Sequence, residues 1–440
     1  MKNFFWMAVA MTLAIAGCSH DITIDKGTEA DSTVRFSTYL GRTAETKGEV
    51  ITTATLGAKG FGVMAYYTGQ DSYLKDKTDY TVDYDFMLNQ KVTNTGNFAD
   101  GSYDADWTYS PLKYWPNNDG DKLTFFAYSP YTTAEGKGLD GVETGISGVD
   151  ALSYSLEYAV STDPVLQTDL LWSDAATKDL AKQDIDEKVT LTFRHALSKI
   201  GFSIAAVADE VREDEQTDGF TNILDENTTI TVKKVALVKG DHEYTITTGE
   251  NMVSYRNVEL AAGSGKFYSK GVLNLDNHEG DDDYVEGVAD WTLSDTDASS
   301  YYLLSAANFV NEQDFVLKGG AENGSNVLAK LNNDRSFLMI IPQDFREVDD
   351  EGNEGAFKEG YNVYVEYEVA TTDPDTADGD DSFTVTNKIL STSPLHTDFE
   401  SGKQYNINLF LGMTSVRFDV EVLPWEETET NVDVPDNTQE

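Results

Sequence analysis

The chain has 440 residues and a formal net charge of −45, from 77 acidic and 32 basic side chains. So acidic a surface repels phosphate backbones and sets nucleic acid aside as a partner, and a single cysteine excludes intrachain disulfides. A single core stops growing beyond roughly 250–300 residues, so this length predicts two domains. The 23 tyrosines and 21 phenylalanines, with threonine and valine recurring beside them, predict strands and not long helices.

In chain order, residues 4–16 form an apolar run behind Lys2, as a secretory signal does. The run is shorter than the ~20 residues that a bilayer-spanning helix needs. Ala16 and Gly17 before Cys18 resemble the lipobox of bacterial lipoproteins, which predicts a signal peptide over 1–17. The resemblance implies diacylglycerol on the Cys18 sulfur, an acyl chain (palmitate) on the new amino group and, with Ser19 next, the outer membrane as destination. More than one chain is what stable anchoring takes, each buried methylene contributing about 0.8 kcal/mol. Residues 18–33 are polar and suit a flexible tether.

An N-terminal β-sandwich domain is expected over 34–186. It opens with a strand in which Val34, Phe36 and Leu40 share a face, followed by a polar loop at 41–48 that carries Arg42 and Lys47. Residues 60–67 and 122–130 are short apolar runs bounded by turn residues, as buried strands are. Trp107-Thr108-Tyr109-Ser110-Pro111-Leu112-Lys113-Tyr114-Trp115-Pro116 lies between them, and its prolines predict an edge segment or irregular crossing. Residues 173–186 predict a short connecting helix, with Ser173 as cap and Ala175, Ala176, Leu180 and Ala181 favouring it.

A C-terminal β-sandwich domain is expected over 187–425, opening with the strand at 189–193 and followed by an acidic tail at 426–440. In 361–369, Tyr361, Val363, Val365, Tyr367 and Val369 share one face, and Asn362, Tyr364, Glu366 and Glu368 the other. In 415–423, Val416, Phe418, Val420 and Val422 oppose Arg417, Asp419 and Glu421. Period-two patterning with one wet face predicts antiparallel sheet, and many short strands with turn signals predict a sandwich. The fold expected is all-β, two tandem antiparallel sandwiches.

Catalytic patterns are wanting. The five histidines, His20, His195, His242, His278 and His396, show no HExxH spacing. His195, at a strand end beside Arg194, reads as a hydrogen-bonded structural residue. Gly263-Ser264-Gly265-Lys266 departs from a phosphate loop, with Leu260 and Phe267 where that motif has Gly and Ser/Thr, and reads as a hairpin turn. The acidic loops at 281–283, 349–351 and 373–381 offer oxygen ligands of the kind calcium takes. None matches an EF-hand, and solvated loops are the plainer reading, so no cofactor is assigned.

Several segments together resemble the fimbrillins of Bacteroidales, subunits of type V pili and related surface lipoproteins. The matching pieces are the lipobox at Cys18, Val34-Arg35-Phe36 with Arg42-Thr43-Ala44, Gly60-Phe61-Gly62-Val63-Met64-Ala65-Tyr66, Lys113-Tyr114-Trp115-Pro116 and Leu123-Thr124-Phe125-Phe126-Ala127-Tyr128. Later come Asp169-Leu170-Leu171, Phe193-Arg194-His195-Ala196-Leu197-Ser198-Lys199-Ile200, Gly402-Lys403-Gln404-Tyr405-Asn406-Ile407-Asn408-Leu409 and the closing Trp425.

The resemblance implies transthyretin-like sandwiches and a structural, adhesive subunit of a surface fimbria, not an enzyme. It implies an outer-membrane lipoprotein precursor that a trypsin-like protease cuts in the 41–48 loop, after Arg42 or alternatively Lys47. The strand of Val34, Phe36 and Leu40 then leaves, and a strand of another pilin subunit fills the groove, in a homo- or heteropolymer. Loss of that strand would open a sheet edge, a template for another chain. The tail at 426–440 is a poor donor, so Val416, Phe418, Val420 and Val422 are the candidate donor positions. A host or glycan receptor is a further partner class. The alternative function is a monomeric glycan-binding surface lipoprotein, with Trp107, Trp115 and Trp291 as sugar platforms.

Overall fold

The computed structural model describes residues 33–40, 51–73, 85–94, 107–118, 120–173, 178–181, 188–207, 224–239, 260, 267–277, 287–294, 301–320, 327–333, 336–343, 346–348, 354–357, 361–372, 382–390, 398–413 and 416–425. The first half carries β1 (Phe36–Leu40), α1 (Thr53–Lys59), β2 (Phe61–Gly69), β3 (Asp85–Asn94), β4 (Trp107–Thr108), β5 (Lys122–Ser129), β6 (Ile146–Asp150), β7 (Ser155–Ala159), β8 (Leu171–Ser173), β9 (Leu180–Ala181) and β10 (Val189–His195). The second carries β11 (Ser198–Ala206), β12 (Thr228–Lys239), β13 (Lys270–Asn274), β14 (Asp290–Ser294), β15 (Tyr301–Ser305), β16 (Phe315–Lys318), β17 (Ala329–Lys330) and β18 (Leu338–Ile340). It closes with β19 (Arg346–Val348), β20 (Glu354–Phe357), β21 (Tyr361–Thr372), β22 (Ser382–Leu390), β23 (Lys403–Leu411) and β24 (Val416–Pro424).

The expected all-β sandwich fold is present. The first sheet runs β1-β10-β8-β5-β2-β3-β4, with β9 added to β5. The second runs β17-β11-β23-β24 with β18 also on β11, and the third β15-β12-β21-β22 with β16 also on β12. A fourth, β14-β13-β7-β6, draws two strands from each half of the chain. Most pairs are antiparallel, but β1 runs parallel to β10 and β11 parallel to β23.

The apolar runs at 60–67 and 122–130 become β2 and β5, antiparallel neighbours at the centre of the first sheet. Their unbroken hydrophobicity has a plain cause, because both faces of this sheet are covered. Phe125 and Ala127 pack with Phe61, Val63 and Val34 on one side. Phe126 and Tyr128 face Tyr158, Leu273 and the large cluster of the second half on the other. That cluster continues between the second and third sheets, where Phe399 packs against Tyr361 at a tilt and against Tyr405 edge-on. The proline-rich crossing behaves as expected, contributing only the two-residue edge strand β4.

Two local expectations are corrected. The helix expected over 173–186 gives way, among described residues, to strand. Ser173 ends β8, its Oγ accepting the Ala127 N–H at 2.8 Å, and Leu180 and Ala181 pair with β5. Cross-strand partners override the alanine preference. Among the described residues the α-helix is α1, where Thr52 accepts the Thr55 N–H in a capping box and Gly60 ends the helix at φ 60°. β10 lies in the first sheet between β1 and β8, and the second sheet takes up the chain at β11. Finally, the wet face of 361–369 is wet only at Glu366 and Glu368. Asn362 and Tyr364 are buried, Tyr364 beneath a small cluster with Ala236 and Val238.

Candidate functional site

The candidate site is β1 and what lies around it. Val34, Phe36 and Leu40 are buried, as expected, and Phe36 is the centre of an aromatic cage. Its ring lies 5.6 Å from Tyr109, 5.9 Å from Phe125 and 6.0 Å from Phe61. Burying a phenylalanine contributes about 1.5–3 kcal/mol relative to exposure. Yet β1 is the outermost strand of its sheet and pairs with one strand, β10, from Phe36↔Val189 to Leu40↔Phe193.

Its entry is tied more firmly than its edge. The Val34 N–H donates to the Lys113 carbonyl at 2.9 Å, and the Tyr109 hydroxyl donates to the Val34 carbonyl at 2.7 Å. Burial pushes the Tyr109 phenol up to about 12, so it stays a donor through the physiological range. Cys18, Arg42 and Lys47 lie outside the described residues.

The Ile51 N–H donates to Asp169 Oδ2 at 2.9 Å. The same oxygen is 2.9 Å from His195 Nδ1, and Asp169 is fully buried. His195 is thus the hydrogen-bonded structural residue expected; the other four histidines lie outside the described residues. Its ring stacks on Trp425 at 4.2 Å between centroids and 3° between planes. Sequence reasoning assigned Asp169 no role. The available signal was a lone carboxylate entering the apolar run Leu170-Leu171-Trp172, which a buried strand tolerates only with a partner.

At the other end of the chain, β24 forms a hairpin with β23 and is the outermost strand of the second sheet. Val416, Phe418 and Val420 pack against the core while only half buried, and Val422 is 48% exposed. The released-strand and donor positions therefore belong to different sheets, β1 beside β10 in the first and β24 beside β23 in the second.

The three tryptophans considered as sugar platforms are engaged in packing. Trp115 is buried against Phe125, Trp107 stacks edge-on to Phe61 at 4.7 Å, and Trp291 donates to the Ala196 carbonyl at 2.9 Å. Among the described residues no group of three or more His, Cys, Asp or Glu side chains could hold a metal. The acidic loops considered for calcium lie outside those residues. No helix among the described residues is long and apolar enough to cross a membrane.

The model of a fimbrillin-like family matches residues 46–425. The fimbrium subunit Fim1C of Phocaeicola vulgatus is 25% identical over 424 residues, covering 94% of each chain. A crystal structure of a fimbrial protein from Bacteroides vulgatus superposes with a TM-score of 0.58 at 21% identity, covering 90% of this chain and 100% of that one.

Proposed function

Since the chain belongs to the fimbrillin-like family, we propose that it is a fimbrial subunit of the cell surface, made as an outer-membrane lipoprotein precursor and assembled by strand exchange. In this reading Cys18 carries the lipid until a trypsin-like protease cuts the 41–48 loop, after Arg42 or alternatively Lys47. The segment that leaves takes β1 with it. The groove is then filled by a strand of another pilin subunit, for which Val416, Phe418, Val420 and Val422 are the candidate positions. The partners are other copies or other subunits of the fimbria, the protease and a surface receptor.

One observation supports the reading most. Phe36 is as buried as a core residue can be, while the strand that carries it is bonded along only one edge. Removing a five-residue edge strand breaks one ladder, yet uncovers Phe61, Phe125 and Tyr109 together. Exposed apolar surface beside an open parallel edge is what another extended strand would bind, backbone bonds giving affinity and alternate pockets specificity. Because donor and acceptor sites differ, such contacts repeat head to tail and build a filament, not a closed ring.

The test is limited trypsin digestion of the full chain in detergent, followed by N-terminal sequencing and size-exclusion chromatography. A new terminus at Thr43 or Gly48 with a ladder of oligomers is expected. A chain that keeps Cys18 and stays monomeric while binding polysaccharide would overturn the reading.

A further inference from the structure

β10 touches both ends of the described chain. Over Val189–Phe193 it pairs with β1, and at Phe193–His195 with β8. At its last position His195 carries the ring of Trp425, one residue past the end of β24. Asp169 fixes the imidazole, and the same carboxylate oxygen receives the Ile51 N–H, beyond the 41–48 loop. Three parts of the chain far apart in sequence thus converge on the end of one strand.

The hold on β24 is concentrated there. Apart from its ladder to β23, the half-buried Val416, Phe418 and Val420 give it modest packing. Trp425 is the one buried side chain among those described in 416–425. Its backbone N–H donates to the Gly402 carbonyl at 2.8 Å, and its ring, part of the large core cluster, stacks flat on His195. Lys199 lies 5.7 Å from the same ring. Such stacks depend on both planes being held in place, and the plane of His195 is set by Asp169 and by the course of β10.

We infer that Trp425 is a latch that holds β24 down while β1 lies against β10. When β1 goes, β10 keeps β8 and the Asp169 bond at His195 but loses its other neighbour up to Phe193, two residues short of the stack; the strand end that carries the ring loosens, and the hold on β24 weakens with it. One event would then create the groove and free a strand able to fill the groove of a second copy, while the intact precursor is restrained from joining others. The timing of β1 loss rests on the maturation reading above; the latch itself does not.

Hydrogen–deuterium exchange on the full chain tests it. In the uncut protein, Trp425→Ala should speed exchange of the 416–423 amides about tenfold and leave 198–206 unchanged. Phe36→Ala, which weakens β1 without removing it, should speed the same amides. Trypsin-cut wild-type protein should do so most. Exchange at 416–423 that stays at the wild-type rate in Trp425→Ala overturns the latch. A response to Trp425→Ala without one to Phe36→Ala overturns the coupling to β1. Should Trp425→Ala lose protection throughout the core, Trp425→Leu, which fills the space without a ring to stack, is measured in its place. If trypsin leaves 41–48 intact the maturation reading fails, while the two substitutions still decide the latch.

Discussion

The two halves of the molecule use the same device, a first strand lying parallel to a late one, and use it differently. β1 lies beside β10, and β11 lies beside β23. Their inward apolar residues are equally deep, Val34 and Phe36 being as buried as Ile200 and Phe202, although β11 is buried along nearly its whole length and β1 is not. Their hydrogen bonding is not alike. The far edge of β11 is taken up by β18 at Ser198–Ile200 and by β17 at Ser203 and Ile204, whereas β1 has a single ladder. Burial measures how much a strand contributes once in place; the number of its ladders decides whether it can leave alone. By that measure β1 is held by fewer strands than β11.

Substitution at matched depth can break this comparison. Phe36→Ala and Phe202→Ala each delete a buried ring, a loss of about 3–5 kcal/mol. Phe202→Ala is expected to lower the urea midpoint of the whole chain. Phe36→Ala is expected to spare that midpoint and to show as faster amide exchange in 36–40, 189–193 and 416–423. Equal global losses from both would end the distinction.

Next in size is Asp169→Ala, which strips a buried N–H at Ile51 and the His195 ring of their acceptor, for a loss of about 1–3 kcal/mol. Thermal melts should show it, with the first sheet losing protection before β12 and β21.

Alkali sharpens the contrast. Burial pushes both Tyr109 and Tyr405 up to about 12, above their ordinary value of 10.0. A group raised on folding contributes stability that is whole below pH ~10 and falls as pH rises through the folded value. The Tyr109 proton is the one given to the Val34 carbonyl, whereas the Tyr405 hydroxyl accepts from the Glu400 N–H. Titration from pH 10 to 12, followed by amide-region NMR, should therefore loosen β1 before β23. The smallest effect belongs to Val422→Thr on β24, within about 0.5 kcal/mol because the side chain is largely in solvent.

Much of this was legible in the sequence where the pattern is local. Alternation alone located β21 and β24 and put Val34, Phe36 and Leu40 on one buried face. What escaped depends on neighbours far along the chain. The alanines after Ser173 favour a helix until Ala127 supplies a cross-strand donor to that serine. Nothing near β10 says that its partner is β1, 153 residues earlier at Ser37 and Thr190. Asp169 finds His195 at 26 residues and Ile51 at 118, separations at which spacing carries no information. Tyr364 sits on the face expected to be wet because residues such as Leu260 return over it.

The fourth sheet has a mechanical consequence. Five residue pairs between β7 and β13 join strands from the two halves, and Gln167 reinforces them by accepting the Met339 N–H at 2.6 Å. Tension applied to one half reaches the other through a hydrogen-bonded ladder and a continuous core, not through a linker. Under load the molecule behaves as a stiff strut, and the compliance of any fibre built from it resides in the joints between subunits.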